Sequence, residues 1–559
     1  MTKRQFHVLY REFLFRMVDR ELLSAHAQGD ASKLLGQIAA ILVFVSLGFT
    51  IMLFGIGNGH KPREAVLVSA WPAEHMLLAT TMLVVGIFAV LSWDSMFPSR
   101  HDVFVLAPLP VRTKTILLAK LASLAAALSY AVVLFNGIPG LLLPFALAPR
   151  SSGILDWLLS PDLYRTFAAY WITTFAAGAF ILCCVLTVQG LAAQLPRRLF
   201  LRLSALLQMA ALCLFICAYF LQPPLNVNNL PDWLPSYWFL GLFQELNGSM
   251  HPMLAPLARR ALIGLALAVC GAVFAYALCY FRILRKIAEE PDILPGVRGL
   301  SWLPRFGNSL ATAVVQFSIR TLCRSRRHRL ILAFYAGIGF AILIVSWKGP
   351  VAQQLAAADP WHQVSLPLLA SSFVMLCFWM LGVRIVFAMP VELSANWIFR
   401  ITQLHAMPGY LTASRRAMLV LAVAPVWAGF AIVFLWLWPW RAAIEHLSVL
   451  GLLGVILAEV CLYGFAKIPF TCSYLPGRSN LHITFCVCML LGLNIIYWAA
   501  LSELRALADP AQYAWIVAAL CAAALCARWR NAAVAKSPYT TLRFEQEQPP
   551  VIIGLGLKR

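Results

Sequence analysis

The feature that most constrains this chain is a run of predominantly apolar residues, long enough to cross a membrane, that recurs about twelve times. The runs fall near 35–56, 75–93, 116–137, 167–194, 203–222 and 261–284, then near 329–347, 363–388, 417–437, 447–467, 481–501 and 512–528. A helix crossing a hydrocarbon layer needs about 20 such residues, because each residue advances it by only about 1.5 Å. What lies between the runs cannot surface a soluble fold of this size. Of 559 residues, 61% are apolar and 12% charged, and the mean hydropathy is +0.79. A soluble enzyme and a disordered chain are excluded on those grounds. An outer-membrane barrel would alternate apolar and polar residues with a period of two, which these runs do not. The expected fold is all-α: a polytopic integral membrane protein of about twelve transmembrane helices.

The 44 Lys and Arg residues set an orientation. With the N-terminus in the cytoplasm, 33 of them fall in cytoplasmic segments and 9 on the opposite side, while Lys120 and Arg384 lie just inside spans. That asymmetry predicts both termini in the cytoplasm and an even number of spans. Arg384, close to its span's end, can snorkel. Trp347, and Trp436 with Trp438 and Trp440, read as interface anchors at span ends. The net charge of +21 is spread over all the cytoplasmic segments, which favours contact with anionic membrane lipid over nucleic acid. No cleavable signal peptide is expected, since the first apolar run begins near Leu34 after a charged segment. The 14 cysteines lie mostly within spans and form no CxxC pair, so they read as small apolar packers and not as disulfide or metal ligands.

The runs are arranged as two halves of six on one plan. Residues 5–23 form an amphipathic elbow helix, with Phe6, Leu9, Tyr10, Phe13 and Met17 on one stripe, expected to lie in the interface. A second elbow, with Leu310, Val314 and Phe317 on one side and Arg320 and Arg324 following, precedes the seventh span. After each elbow come two spans and then a cytoplasmic segment opened by a hydrophobe and Pro, Phe97-Pro98 and Met389-Pro390. The expected organisation is 1–284 for the first half, 285–328 for the linker and second elbow, 329–530 for the second half and 531–559 for a cytoplasmic tail. Asn136-Gly137-Ile138-Pro139-Gly140 is expected to break the third span, with a kinked helix running on to about Ala148 as the alternative. Residues 223–258 read as a long extracytoplasmic segment. Within it Ser236–Phe243 is either a re-entrant or interfacial helix, with Trp238 at headgroup depth, or a surface loop.

No phosphate loop, HExxH, GxSxG or dinucleotide fingerprint occurs, so no catalytic site and no cofactor are assigned to this chain. Among only 23 acidic residues, Glu459 stands out, in the middle of the tenth span. A charge there costs about 2.5–3.5 kcal/mol on insertion scales. It reads either as a hydrogen-bonded core residue or as part of a pathway. The stretch 93–120 is the most distinctive. A charged head with Arg100 and Asp102 leads into a short apolar run closed by Pro108 and Pro110, and Arg112 and Lys114 then open the next span. The pattern predicts a short cytoplasmic helix lying across the membrane surface. Its apolar residues are expected to pack on the protein's own elbow or to dock into a partner's groove.

The sequence FPSRHD at 97–102, followed by LAPLPVRTKTILLAK at 106–120, resembles the coupling segment of ABC type-2 exporter permeases. The length and two-half plan resemble large bacterial members of that family in which two six-span halves are fused. PVELSANWIFRITQ (390–403) is similar to their second cytoplasmic motif, and LPSYWFLGLF (234–243) to an extracytoplasmic one. The resemblance implies a membrane subunit that is not itself an enzyme, in a bacterial inner membrane. A separate pair of ABC-type ATPase subunits would drive it and would hold the ATP and Mg. It gives the coupling role to Phe97, Arg100, Asp102, Leu109, Pro110 and Arg112, and in the second half to Pro390, Glu392, Trp397 and Arg400. The rival readings are a secondary transporter, which would carry several intramembrane charges and paired broken helices, and a membrane-embedded lipid or glycan transferase.

Overall fold

The structure is a computed structural model. It describes residues 3–22, 42–43, 46–48, 50, 63–93, 96, 113–147, 159–223, 225, 230–249, 251–289, 304–348, 364–389, 407–463, 465, 468–471 and 481–536. The chain divides into two compact units, Met1–Leu294 and Pro295–Arg559. Unit 1 contains α1 (Lys3–Leu22), α2 (Arg63–Leu91), α3 (Thr113–Leu147), α4 (Pro161–Ala192), α5 (Arg197–Phe220), α6 (Pro235–Asn247) and α7 (Leu254–Glu289). Unit 2 contains α8 (Ser309–Arg324), α9 (Arg326–Lys348), α10 (Leu366–Phe387), α11 (Met407–Met418), α12 (Ala424–Leu437), α13 (Trp440–Cys461), α14 (Leu481–Ala506) and α15 (Pro510–Lys536). A π-helical turn, Leu419–Val423, joins α11 to α12. Among the described residues, 10 helices are long and apolar enough to cross a membrane. The run at 481–501 forms α14, and the run at 35–56 lies largely outside the described residues. The chain is an all-helical, multi-pass membrane protein.

The two units share part of their internal packing. In unit 1 the elbow α1 packs on α3, α2 packs on α3, α4 and α5, and α4 packs on α3 and α7. In unit 2 the elbow α8 packs on α11, α10 packs on α12, α13 and α14, and α13 packs on α12 and α15. The pairings match helix for helix when α2 is set against α10, α3 against α11–α12, α4 against α13, α5 against α14 and α7 against α15. Each unit has an elbow end, where α3 or α11 begins, and a distal end opposite. Small residues allow the closest approaches: a Cβ on Gly190 of α4 would meet the Ala275 Cβ of α7 at 2.7 Å.

Four expectations are corrected or narrowed. The pentad at 136–140 does not break the third span, and the alternative of a helix running on to about Ala148 holds: α3 is one helix to Leu147 with Pro139 and Pro144 inside it. One bond within α3 and one from α4 fix the side chain that opens the pentad. The Asn136 Nδ2 donates to Val132 O at 3.0 Å, and its Oδ1 accepts from Tyr170 of α4 at 2.7 Å. Second, of the two alternatives for Ser236–Phe243 the helix holds and the surface loop does not. The stretch belongs to α6, whose Tyr237, Phe239, Leu240 and Phe243 are all buried. Pro235 starts α6 without losing a needed donor. Gly248, at φ 86°, stops it, with its N–H on Glu245 O at 3.0 Å and Ser249 N–H on Gln244 O at 3.0 Å. Third, α12 and α13 are joined by the two residues Trp438 and Pro439, so α13 ends at Cys461 and Glu459 lies in its last turn, not mid-span. Finally, the α1 stripe faces protein: Leu9 and Phe13 are buried with Ala119 of α3.

Candidate functional site

At the elbow end of unit 1, α1 lies on the first turns of α3, the helix that leaves the 94–112 segment. Phe13 is buried, and the Lys120 Nζ sits 4.6 Å from its ring centre, so α3 holds the elbow by a cation over an aromatic face. The end of α2 is fastened alongside. The Gln208 amide donates to Val90 O at 2.7 Å, that of Gln189 to Trp93 O, and the Trp93 indole to Ser204 Oγ at 3.0 Å. The two amide bonds satisfy carbonyls at a helix end, where such groups lack helical partners.

Unit 2 repeats the arrangement with different residues. Asn308 caps α8 by accepting from Ala311 N–H at 2.9 Å, which starts the helix where its apolar side can meet α11. Ala311, Val314 and Val315 pack there with Ala413 and Ala417. Arg416 of α11 donates to Phe306 O at 2.8 Å, pinning the approach to the elbow. One residue earlier, Arg415 forms an ion pair with Glu459 of α13, and Asn531 of α15 donates to Glu459 Oε2 at 2.7 Å. Glu459 is thus a buried, charge-paired tie among α11, α13 and α15. Arg384 does not snorkel freely. Its Nε donates to Cys461 O at 2.5 Å, at the end of α13, and its guanidinium lies over Phe465.

Each distal end carries a buried polar cluster. In unit 1, Gln244 of α6 donates to the Glu74 carboxylate of α2, and His75 Nε2 lies 3.1 Å from Ser236 Oγ with its ring 4.0 Å from that of Tyr237. Burial pushes the Tyr237 hydroxyl above its ordinary range, so it remains a donor, to Pro223 O at 3.1 Å. In unit 2, Ser372 of α10, His446 of α13 and Glu503 of α14 form a chain: Ser372 Oγ to His446 Nε2 at 2.9 Å, and His446 Nδ1 to Glu503 Oε1 at 2.8 Å. The order is that of a nucleophilic triad. Yet Ser372 and His446 are both 0% exposed, and Ser372 Oγ also donates to Leu369 O at 2.9 Å. Phe373, Phe434 and Trp438 close around the imidazole. No acyl substrate can reach the hydroxyl, and the chain works as a clasp among three helices.

Phe97, Arg100, Asp102, Leu109, Pro110, Arg112, Pro390, Glu392, Trp397 and Arg400 lie outside the described residues. Of the candidate coupling and pathway residues, the structure places Glu459. Sequence reasoning missed Glu74, His75, His446 and Glu503 because each sits at the rim of an apolar run, where a hydropathy window stops. His75 opens the 75–93 run, His446 directly precedes 447–467, and Glu503 follows 481–501 by two residues. Among the described residues, no group of three His, Cys, Asp or Glu is placed to hold a metal ion. No family model, curated protein or solved structure matches the chain.

Proposed function

We propose that this chain is the membrane-spanning permease subunit of an ATP-driven exporter, powered by a separate pair of ABC-type ATPases that bind the ATP and Mg. One observation supports the reading beyond the motif resemblance. In both units the elbow helix packs on the helix that follows the segment expected to couple: α1 on α3 after 94–112, and α8 on α11 after 390–406. A push on either segment would reach an elbow and a spanning helix as one body. Closure of two ATPases would then tilt the units and change which side of the membrane the path faces. Both termini and both segments are assigned to the cytoplasm from the charge asymmetry, and the bacterial inner membrane is what the resemblance implies.

The secondary-transporter reading has one observation in its favour. Three glutamates, Glu74, Glu459 and Glu503, are buried among the helices, more than the apolar runs alone indicated. Against it, Glu459 is paired with Arg415, and Glu503 with His446. Co-purification with an ATPase encoded next to this chain separates the two readings. An ATPase that never associates with the intact chain would leave the secondary transporter standing.

A further inference from the structure

The distal end of unit 1 has an unsettled hydrogen-bond account. Five polar atoms there are buried without a hydrogen-bond partner: Trp71 Nε1, Glu74 Oε1, Gln244 Oε1, Ser249 Oγ and His251 Nδ1. Leaving one such group unpaired costs about 1–3 kcal/mol, so native structures rarely tolerate several together. These five are neighbours. Trp71 and Glu74 are three residues apart on α2 and share a face. Gln244 contacts Glu74 through its other amide atom. Ser249 N–H bonds back to Gln244 O at 3.0 Å, and the His251 ring lies edge-on to Trp71 with centres 5.2 Å apart. Trp71 and Gln244 are 0% exposed and Glu74 2%, so bulk solvent does not satisfy them.

The unpaired set has a definite chemistry. Trp71 Nε1 can only donate, and the free oxygens of Glu74 and Gln244, as carboxylate and amide, can only accept. The species that completes them donates twice and accepts once. A proton on Glu74 closing a ring with the Gln244 amide would serve the two oxygens but leave the indole, Ser249 and His251 as they are. An ammonium donates but cannot accept from Trp71. Water meets the whole requirement and is the usual occupant of buried polar sites, where it makes about three hydrogen bonds. We propose that the distal end of unit 1 is a buried hydration site, in which at least one ordered water bridges Trp71, Glu74 and Gln244 between α2 and α6. The site stands independently of the exporter reading. It gives α6, a 13-residue helix too short to span, a polar seat against the spanning helix α2.

The test uses the intact chain in detergent. X-ray radiolysis turns bound water into hydroxyl radical where it sits, so a buried side chain beside water is oxidised and one in a dry core is not. Trp93 is the internal control: it is equally buried, and its indole N–H is already bonded to Ser204. The proposal requires Trp71 to be oxidised several-fold faster than Trp93. Equal rates would overturn it. A second measurement guards against loose packing as the cause. Replacing Trp71 with 3-benzothienylalanine keeps the bicyclic shape and removes the donor, so it should lower the melting temperature if the indole holds a water. A variant that melts at or above the parent temperature would mean the indole has no partner, and the site would be dry.

Discussion

The indole N–H of Trp379 on α10 donates to the backbone carbonyl of Leu421 at 2.9 Å. In a regular helix that carbonyl would accept from residue 425, which is Pro425 and has no N–H. The π turn at Leu419–Val423 and the tie from α10 are two parts of one local solution. The extra residue per turn lets the chain run past the proline, and a neighbouring helix supplies the missing donor.

Trp379→Phe should therefore destabilise unit 2 by about 1–3 kcal/mol, the cost of a buried carbonyl left unpaired. Pro425→Ala in that background should recover much of the loss by restoring a helical donor. Thermal melts of the two single variants and the double variant in detergent measure the coupling. Additive effects would contradict the relationship.

Glu459→Gln keeps an acceptor for Asn531 but leaves the Arg415 cation without its partner. Breaking one side of a buried pair costs about 3–5 kcal/mol. The variant should melt lower, and Arg415→Gln added to it should recover stability. Protein level and transport measured together decide the role. Loss of transport at a normal level and melting temperature would make Glu459 a pathway residue and not a structural tie.

His446→Leu should be more damaging than Ser372→Ala. The first removes the partner of the buried Glu503 carboxyl, whereas the second removes one neutral hydrogen bond worth about 1 kcal/mol. Neither residue should react as a nucleophile. A fluorophosphonate probe should leave Ser372 unmodified in the folded chain, and an adduct on Ser372 would contradict the clasp.

Much of the helical count was legible, because length and apolarity alone define a spanning helix. The ends were not. Apolar windows stopped at His75, His446 and Glu503 because those residues cost free energy in lipid, but each is paired inside its unit and so stays within a helix. The pentad around Pro139 left break and kink both open, since sequence does not show which neighbour will hold its first side chain, here Tyr170 on Asn136. The α6 run left helix and loop both open because 13 residues cannot cross a bilayer, although they can be buried on protein. Polar contacts between helices, such as Glu74 with Gln244, join residues 170 positions apart, and no local pattern announces them.

The expected topology places Ser99 inside and the segment before α6 outside. Trp233 is 68% exposed and suits a labelling site. Single cysteines at Ser99 and Trp233 in a cysteine-free background should label from opposite faces of the membrane. Labelling of both by an impermeant reagent outside intact cells would contradict the charge-based orientation.

The central claim is that the 94–112 segment carries an ATPase. Fully burying a Leu side chain is worth about 1.5–3 kcal/mol, and Leu109→Asp would replace that gain with the desolvation of a charge. The measurement is co-purification of the candidate ATPase with the membrane chain, together with ATP hydrolysis by the pair. The account predicts that the parent chain retains the ATPase and that Leu109→Asp loses it by about tenfold or more in affinity while still inserting at the parent level. If the parent chain retains no ATPase, or if Leu109→Asp binds it as tightly as the parent, the coupling role is contradicted.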